Sequence, residues 1–417
     1  MRLLKIGVYY SSYLAQFYSR RPNFASESFE FQHSALMDDC FGSSDFWTTA
    51  LTKLGYETCD LVANAEPLQK KWAKEHGLVF NERNWLFEIT AAQIKAFRPD
   101  VLLVADYTTV TGAFLDHLKV ICPSIRLVLG WCGAPYRDDS IFRQCDVVLS
   151  CVPELVDQFQ KEGHVSRHVN HAFDSRVLER INIATEPNAD FTFIGSIVKS
   201  DHFHIGREKI IAQLVRETDL QLWSEAGCQS SSGTQQHRSL ADETSSFAGN
   251  FTRQIGGLSL VAPVRRRVSR FIFGSHPTLP IVDMEIRRLA NPPLFGLKMF
   301  QQLHDSRVTL NTHIDISPLN ASNMRLFEAT GVGTCLLTDW KANLATLFKP
   351  DSEVVTFRDT DECVEKIKYL LEHDDERRAI ATAGQARTLR DHTFEDRAQQ
   401  IDATIKDALS GASAVAR

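Results

Sequence analysis

Two stretches of the chain carry residue types suited to an organic phosphate. In "FIGSIVKSDHFHIGREK" (193–209), Gly195 follows an apolar, strand-like run. Backbone there can approach a diphosphate with no Cβ in the way. Ser196 completes the turn, and Lys199, His204 and Arg207 offer nearby hydrogen-bond donors. In "SNMRLFEATGVGTCLLTD" (322–339), Ser322, Asn323 and Met324 stand where a helix begins. Amides at a helix start lack intrahelical partners and attract anions. Glu328 falls about one and a half turns into that helix, and Gly331 or Gly333 ends it before the next strand. Its carboxylate can accept two hydrogen bonds from ribose hydroxyls, or it can pair with Arg325 at i, i+3 spacing for ~0.2–0.5 kcal/mol. Spacing leaves these two readings even. Neither G-x-x-x-x-G-K-[ST] nor G-x-G-x-x-G occurs, which argues against an ATPase or a nicotinamide enzyme.

The elements that must position these residues alternate short apolar runs with longer amphipathic ones, the pattern of an α/β chain with parallel sheets. Strands are expected at 3–10, 58–64, 101–107, 125–133, 145–152 and 167–173, with helices at 43–57 and 85–100. A polar linker, "INIATEPNAD" (181–190), precedes a second series. That series has strands at 191–197, 220–224, 307–314, 333–339 and 353–357, and helices at 207–217, 360–373 and 375–392. Residues 11–43 read as a long loop, and 226–250, rich in Ser and Gly, as another. At 417 residues the chain exceeds a comfortable single core. Two Rossmann-like domains follow, 1–180 and 181–392, with a last helix at about 393–410 crossing back onto the first.

A formal charge of −6 argues against non-specific nucleic-acid binding. The N-terminus runs straight into a strand and nowhere are ~20 apolar residues consecutive, so neither a signal peptide nor a membrane span is expected, and a cytosolic setting fits. Nine cysteines without a C-x-x-C pair read as reduced thiols. Histidines 171, 202, 204 and 313 match no compact zinc pattern, and "DTD" (359–361) reads as a helix cap, so no metal site is expected. Of those histidines, His313 at a strand's C-terminal end is the one worth testing. "VRRRVSRFIFG" (264–274) is either an exposed basic face or a contact with an anionic membrane or a lipid phosphate.

"NMRLFEATGVGTCLLTD" together with "FRDTDECVEKIKYLLEHDDERRAIATAGQARTLRDHTFEDRAQQI" resembles the C-terminal half of GT-B glycosyltransferases, especially the bacterial spore-maturation-protein-like group. "FTFIGS" resembles the strand opening their donor domain, and "HVNHAFDSRVL" the segment closing their acceptor domain. The resemblance implies two Rossmann-like domains facing across a cleft, a nucleotide-sugar donor on the C-terminal one, and a glycan, glycolipid or protein acceptor on the other. No cofactor or metal is implied, so helix dipoles and basic donors such as Lys199 and Arg207 would neutralise the leaving diphosphate. Glu328 and Gly333 match the ribose-binding glutamate and the glycine of the family 4 motif, while Asn323 and Met324 fall at the diphosphate-binding amides. The first glutamate of that motif is replaced by Asn320, so a retaining mechanism is not carried over. If the reaction inverts, a general base is needed. His33 and Asp39 in the 11–43 segment, and Asp106 at a strand end, are the candidates. A nucleotide-sugar epimerase or phosphorylase on the same fold, or a catalytically degenerate sugar- or nucleotide-binding protein, are the competing readings.

Overall fold

The computed structural model describes residues 1–136, 138–198, 204–228 and 282–415. The first sheet holds six strands: β1 (Arg2–Gly7), β2 (Glu57–Val62), β3 (Val101–Val104), β4 (Leu127–Trp131), β5 (Val147–Ser150) and β6 (Ser166–His168). All pair in parallel, in the order β2-β1-β3-β4-β5-β6. The second sheet holds β7 (Ala189–Ile194), β8 (Gln221–Trp223), β9 (Ser306–Asn311), β10 (Cys335–Asp339) and β11 (Val355–Phe357), also parallel, in the order β11-β10-β9-β7-β8. Helices cover both faces of such sheets, which is why runs like "VLLV" in β3 are buried at every residue rather than at every other one.

Lys5 breaks that apolar pattern in β1. Its partner in the register with β2 is Asp60, and the two form a buried ion pair at 2.9 Å. Each charge would be costly alone in the core, so the pair is conceivable only as a unit.

Residues 11–43 are not a loop. They fold as helices Ser11–Ser19 and Phe29–Asp38 around a short turn at Phe24–Ser26. Tyr13 and Phe17, one helical turn apart, are both buried, and Ser28 caps the second helix by accepting from the Phe31 amide at 3.2 Å. Helices Glu66–Glu75, Gly112–Ile121, Pro153–Lys161 and Gly296–His304 likewise occupy stretches with no expected element. The expected loop at 226–250 lies, from residue 229 onward, outside the described residues.

The last helix, Phe394–Val415, lies against helix Phe46–Lys53. Phe394 packs on Phe46 and Trp47 with ring centroids 5.0 Å apart in both cases, and Tyr56 donates to Asp402 at 2.7 Å. Phe173, at the end of the first domain, pairs with Thr393 and donates its amide to the His392 carbonyl at 2.9 Å. Its ring sits directly against Gly331 of the second domain. Apolar residues of both domains, from Leu3 to Phe327 and Ile405, therefore form one continuous core.

Candidate active-site cleft

The C-terminal ends of the two sheets border one cleft of about 560 Å³. In open α/β sheets this is where ligands bind, because the loops after the strands are free to carry polar groups. Residues from both domains line it: Tyr9, Asp106 and Trp131 on one wall, Ser196, Arg207 and Glu328 on the other.

Arg207 dominates the second wall. It lies in helix Ile205–Glu217 and is only 8% exposed. Its guanidinium donates from one terminal nitrogen to the Ser196 carbonyl at 2.8 Å and from the other to the Thr312 carbonyl at 2.7 Å, while Nε reaches the Thr312 hydroxyl at 2.9 Å. These neutral acceptors fix the fork but do not cancel its charge. Among the described residues, no carboxylate comes within 4 Å of it. Burial pulls its pKa down to about 10, and Arg325 adds repulsion, so it remains a cation at neutral pH. A buried cation with no carboxylate within 4 Å, offset only from farther away by Asp339 and Asp315 and opening on a cleft, is a place for an anion.

Glu328 is 6% exposed and lies on the short helix Arg325–Gly331. Arg325 reaches it at 2.8 Å, so the i, i+3 pair does form, but buried in the cleft wall rather than on the surface. Burial raises the carboxyl pKa, and Arg325 partly offsets this. The pairing and the ligand-facing position are therefore compatible. The helix begins at Arg325, so Glu328 sits in its first turn, and its seven residues leave little dipole for a phosphate. With Arg325 paired to Glu328, positive charge on this wall comes from Arg207. Ser322, Asn323 and Met324 line the cleft in the approach to the helix. Asn323 holds this approach in place, donating to Asn311 Oδ1 at 2.6 Å and to the Thr312 carbonyl at 3.1 Å, beside the end of β9.

Gly195 and Ser196 follow β7 and line the cleft. A Cβ on Gly195 would lie 3.1 Å from the Phe193 ring. Gly333 lies behind the cleft, where its φ of +86° turns the chain into β10. Lys199 lies outside the described residues, as does the basic stretch 264–274. His204 lines the cleft but is no cation. Its Nδ1 accepts from the Val198 amide at 3.0 Å, and burial, with Arg207 next to it, pushes its pKa down to about 2.

The five candidate catalytic residues fall in different places. His33 does not line the cleft; its Nε2 meets the Asp60 carbonyl at 2.9 Å. Asp39 accepts from the Tyr13 hydroxyl at 2.9 Å and receives the Leu297 amide on its carbonyl at 2.8 Å, joining the two domains beside the cleft. His313 has a side chain wholly closed to solvent, with Nδ1 2.6 Å from Asp339. Asn320 stands in the loop before helix Arg325–Gly331, away from the cleft lining, and its carbonyl accepts from Ser317 at 2.6 Å. Asp106 alone of the five borders the cleft. Its carboxylate already takes four hydrogen bonds, from the Thr108 amide and hydroxyl at 3.2 and 2.6 Å and from the amides of Thr109 and Val110 at 2.8 and 3.1 Å. That number fills the acceptor sites of a carboxylate, so Asp106 shapes the turn after β3. Among the described residues, no three His, Cys, Asp or Glu side chains are grouped to hold a metal ion, and no helix is long and apolar enough to cross a membrane.

Several cleft residues escaped the sequence reading: Tyr9, Tyr10, Tyr107 and Trp131 on the first domain, and Glu225 after β8 on the second. The signal was available, since each follows or ends a strand of a parallel sheet. Most of these are aromatic, and an aromatic residue at a strand end looks locally like part of the core. His171, noted only as one of several scattered histidines, also lines the cleft, packed 5.4 Å from Trp131. Burial, reinforced by Arg397, pushes its pKa down to about 3.

Neutral His171 and His204 give the fold a pH signature. An unfolded histidine takes a proton near pH 6.5, whereas these two resist it down to about 3 and 2. Their contribution to stability is complete above about pH 6.5 and is lost as pH falls toward those values. Thermal unfolding followed from about pH 7.5 to about pH 5 should show a falling midpoint, and His171→Phe should flatten the fall. An unchanged slope in that variant would contradict the assignment.

Comparison with known proteins agrees with this architecture. Residues 253–403 match the family model described as glycosyl transferase-like. No curated protein sequence matches the chain. Among solved structures, sucrose-phosphate synthase from Thermosynechococcus elongatus superposes with a TM-score of 0.52 at 10% identity, covering 99% of this chain and 100% of that one. HepE from Anabaena, solved in complex with UDP-glucose, gives 0.51 at 12% identity over 98% and 100%. AviGT4, a glycosyltransferase involved in avilamycin A biosynthesis, gives 0.50 at 13% identity over 99% and 98%. Identities this low speak for the fold, and the family match speaks for the C-terminal region. The chain thus has the GT-B fold, two Rossmann-like domains facing across a cleft, and its residues 253–403 match the glycosyl transferase-like model.

Proposed function

We propose that the cleft binds a nucleoside-diphosphate sugar on the second domain and that the chain transfers its glycosyl group to an acceptor hydroxyl. Arg207 carries this reading: a buried guanidinium, held by three neutral acceptors and with no carboxylate within 4 Å among the described residues, on the wall where a diphosphate would lie. The glycosyl transferase-like match and the UDP-glucose complex of HepE support it. In the reaction, the bond from the sugar's anomeric carbon to the diphosphate oxygen breaks and one to the acceptor oxygen forms. The acceptor loses its proton, and negative charge grows on the departing diphosphate. Arg207 opposes that charge, and since its guanidinium is already fixed by Ser196 and Thr312 it does so without reorganising, while Arg325 stays paired with Glu328. Arg207 needs no metal ion beside it for this role, and the reading is of a metal-independent transfer.

Glu328 is assigned to the ribose. Hydrogen bonds to a charged group contribute ~1.5–3 kcal/mol, so Glu328→Ala should weaken nucleoside-diphosphate binding by roughly ten- to a hundredfold. The identifying readout is the sugar edge: calorimetry should show that the wild type prefers a ribonucleotide to its 2′-deoxy counterpart and that the variant does not. Equal preference in both proteins would remove Glu328 from the ribose.

A further inference from the structure

The two walls of the cleft differ in charge as well as in origin. The second-domain wall carries Arg207, with no carboxylate within 4 Å among the described residues, beside the Arg325–Glu328 pair and Glu225. The first-domain wall carries rings: Tyr9, Tyr10, Tyr107 and Trp131, with Tyr10 48% exposed beside the cleft. Cations on that wall are already spent. Lys5 is bound to Asp60 at 2.9 Å and donates to the Ser44 carbonyl. His171 is neutral, for the burial already described. The two carboxylates are committed as well, Asp60 to Lys5 and Thr48, and Asp106 to its own turn. Among the described residues, the first-domain wall therefore holds no uncommitted charge of either sign.

Given the donor placement proposed above, on which this rests, we infer that the acceptor is a neutral carbohydrate, docked with a ring face against the Tyr10–Trp131 side of the cleft, and not a phosphorylated one. A pyranose has one face of C–H bonds whose apolar area can be removed from water by an aromatic ring. Its hydroxyls need neutral donors and acceptors, and the imidazole of His171 offers one of each. A phosphate monoester brought onto the same wall would lose hydration and, among the described residues, meet no unpaired cation in return. Arg207 of the opposite wall would already be facing the donor diphosphate.

Saturation-transfer NMR on the full chain, with methyl glycosides of common hexoses and the matching hexose phosphates, tests this by binding alone. Ring protons of at least one neutral glycoside should receive saturation, and its phosphorylated counterpart should bind at least about tenfold more weakly. Tyr10→Ala and Trp131→Ala, each first checked for a cooperative melt close to the wild type because Tyr10 packs on Phe41 and Phe295, should weaken the neutral glycoside by up to about tenfold, in keeping with the ~0.5–1.5 kcal/mol of an aromatic contact. Tighter binding of the phosphorylated sugar, no binding of any neutral glycoside, or full binding in Tyr10→Ala would overturn the inference. Nucleotide binding measured on the same samples reports separately on the donor reading, so the two can fail independently.

Discussion

Replacing Arg207 by alanine should abolish measurable binding of nucleoside diphosphates at micromolar concentrations while the protein stays folded. Truncating a buried, hydrogen-bonded charge that pairs with a ligand typically costs ~2–5 kcal/mol, or about thirtyfold to several thousandfold in affinity. Arg207→Lys should recover only part of it. A lysine can supply the charge, but it has one nitrogen where the guanidinium uses three to hold Ser196 and Thr312. A nucleoside without phosphates should bind wild type and variant alike, since the lost interaction is with the diphosphate. Retained diphosphate affinity in Arg207→Ala, measured by calorimetry, would show that the anion sits elsewhere.

The second large effect concerns how the site is held. A Cβ at Gly331 would fall 2.3 Å from Cγ of Phe173 and within 2.6 Å of two further ring atoms. Phe173 is 1% exposed, tied by its amide to His392 and by its carbonyl to Phe394, so the ring has no room to retreat. Gly331→Ala should therefore destabilise the chain by ~1–3 kcal/mol, and Gly331→Val by more, as overpacking does in a dense core. Glu328 is on the same short helix, so nucleotide affinity should fall along with the melting temperature. Phe173→Leu combined with Gly331→Ala should be more stable than the sum of the single effects predicts, because the smaller side chain leaves the new methyl room. Gly411→Ala makes a control: it lies in a helix, with nothing within 4 Å of a new Cβ, and should be neutral or slightly stabilising. Equal melting temperatures for Gly331→Ala and wild type would show that the contact yields.

These two predictions also mark what could be read in the sequence. Strands were legible where apolar runs were short and bounded, as at "VLLVADY" and "GTCLLTD", since a strand buried on both faces shows as a run. Helices with mixed faces between them were harder. Gly296–His304 begins at a glycine held at φ +56° beside Asp39, a feature set by the other domain and invisible locally. The segment 11–43 looked like a loop because its aromatic residues pack against one another and Phe295 rather than on a single obvious core.

Within the site, Arg207 and Glu328 stood out because their spacing from Gly195 and Gly333 is local information. What could not be read was which candidates share a cleft. His33, Asp39 and His313 carry suitable atoms, but tertiary hydrogen bonds decide where those atoms point, and here they point to a carbonyl, a tyrosine and an aspartate, while Asn320 stands outside the cleft lining. His204 shows the same limit in electrostatic form. Sequence made it a donor, whereas burial makes it a neutral acceptor. The aromatic wall went unseen because tyrosine and tryptophan at strand ends resemble ordinary core residues until the opposite wall is in place.

The most direct test of the account is calorimetric titration of the wild-type chain with a panel of nucleoside diphosphates, repeated on Arg207→Ala. Ligand that binds only the folded state also raises the melting temperature, so thermal shift gives an independent check on the same samples. At least one nucleoside diphosphate should bind at a single site and stabilise the chain, and both effects should disappear in Arg207→Ala. Absence of binding by every member of the panel would contradict this, as would binding that survives the loss of Arg207.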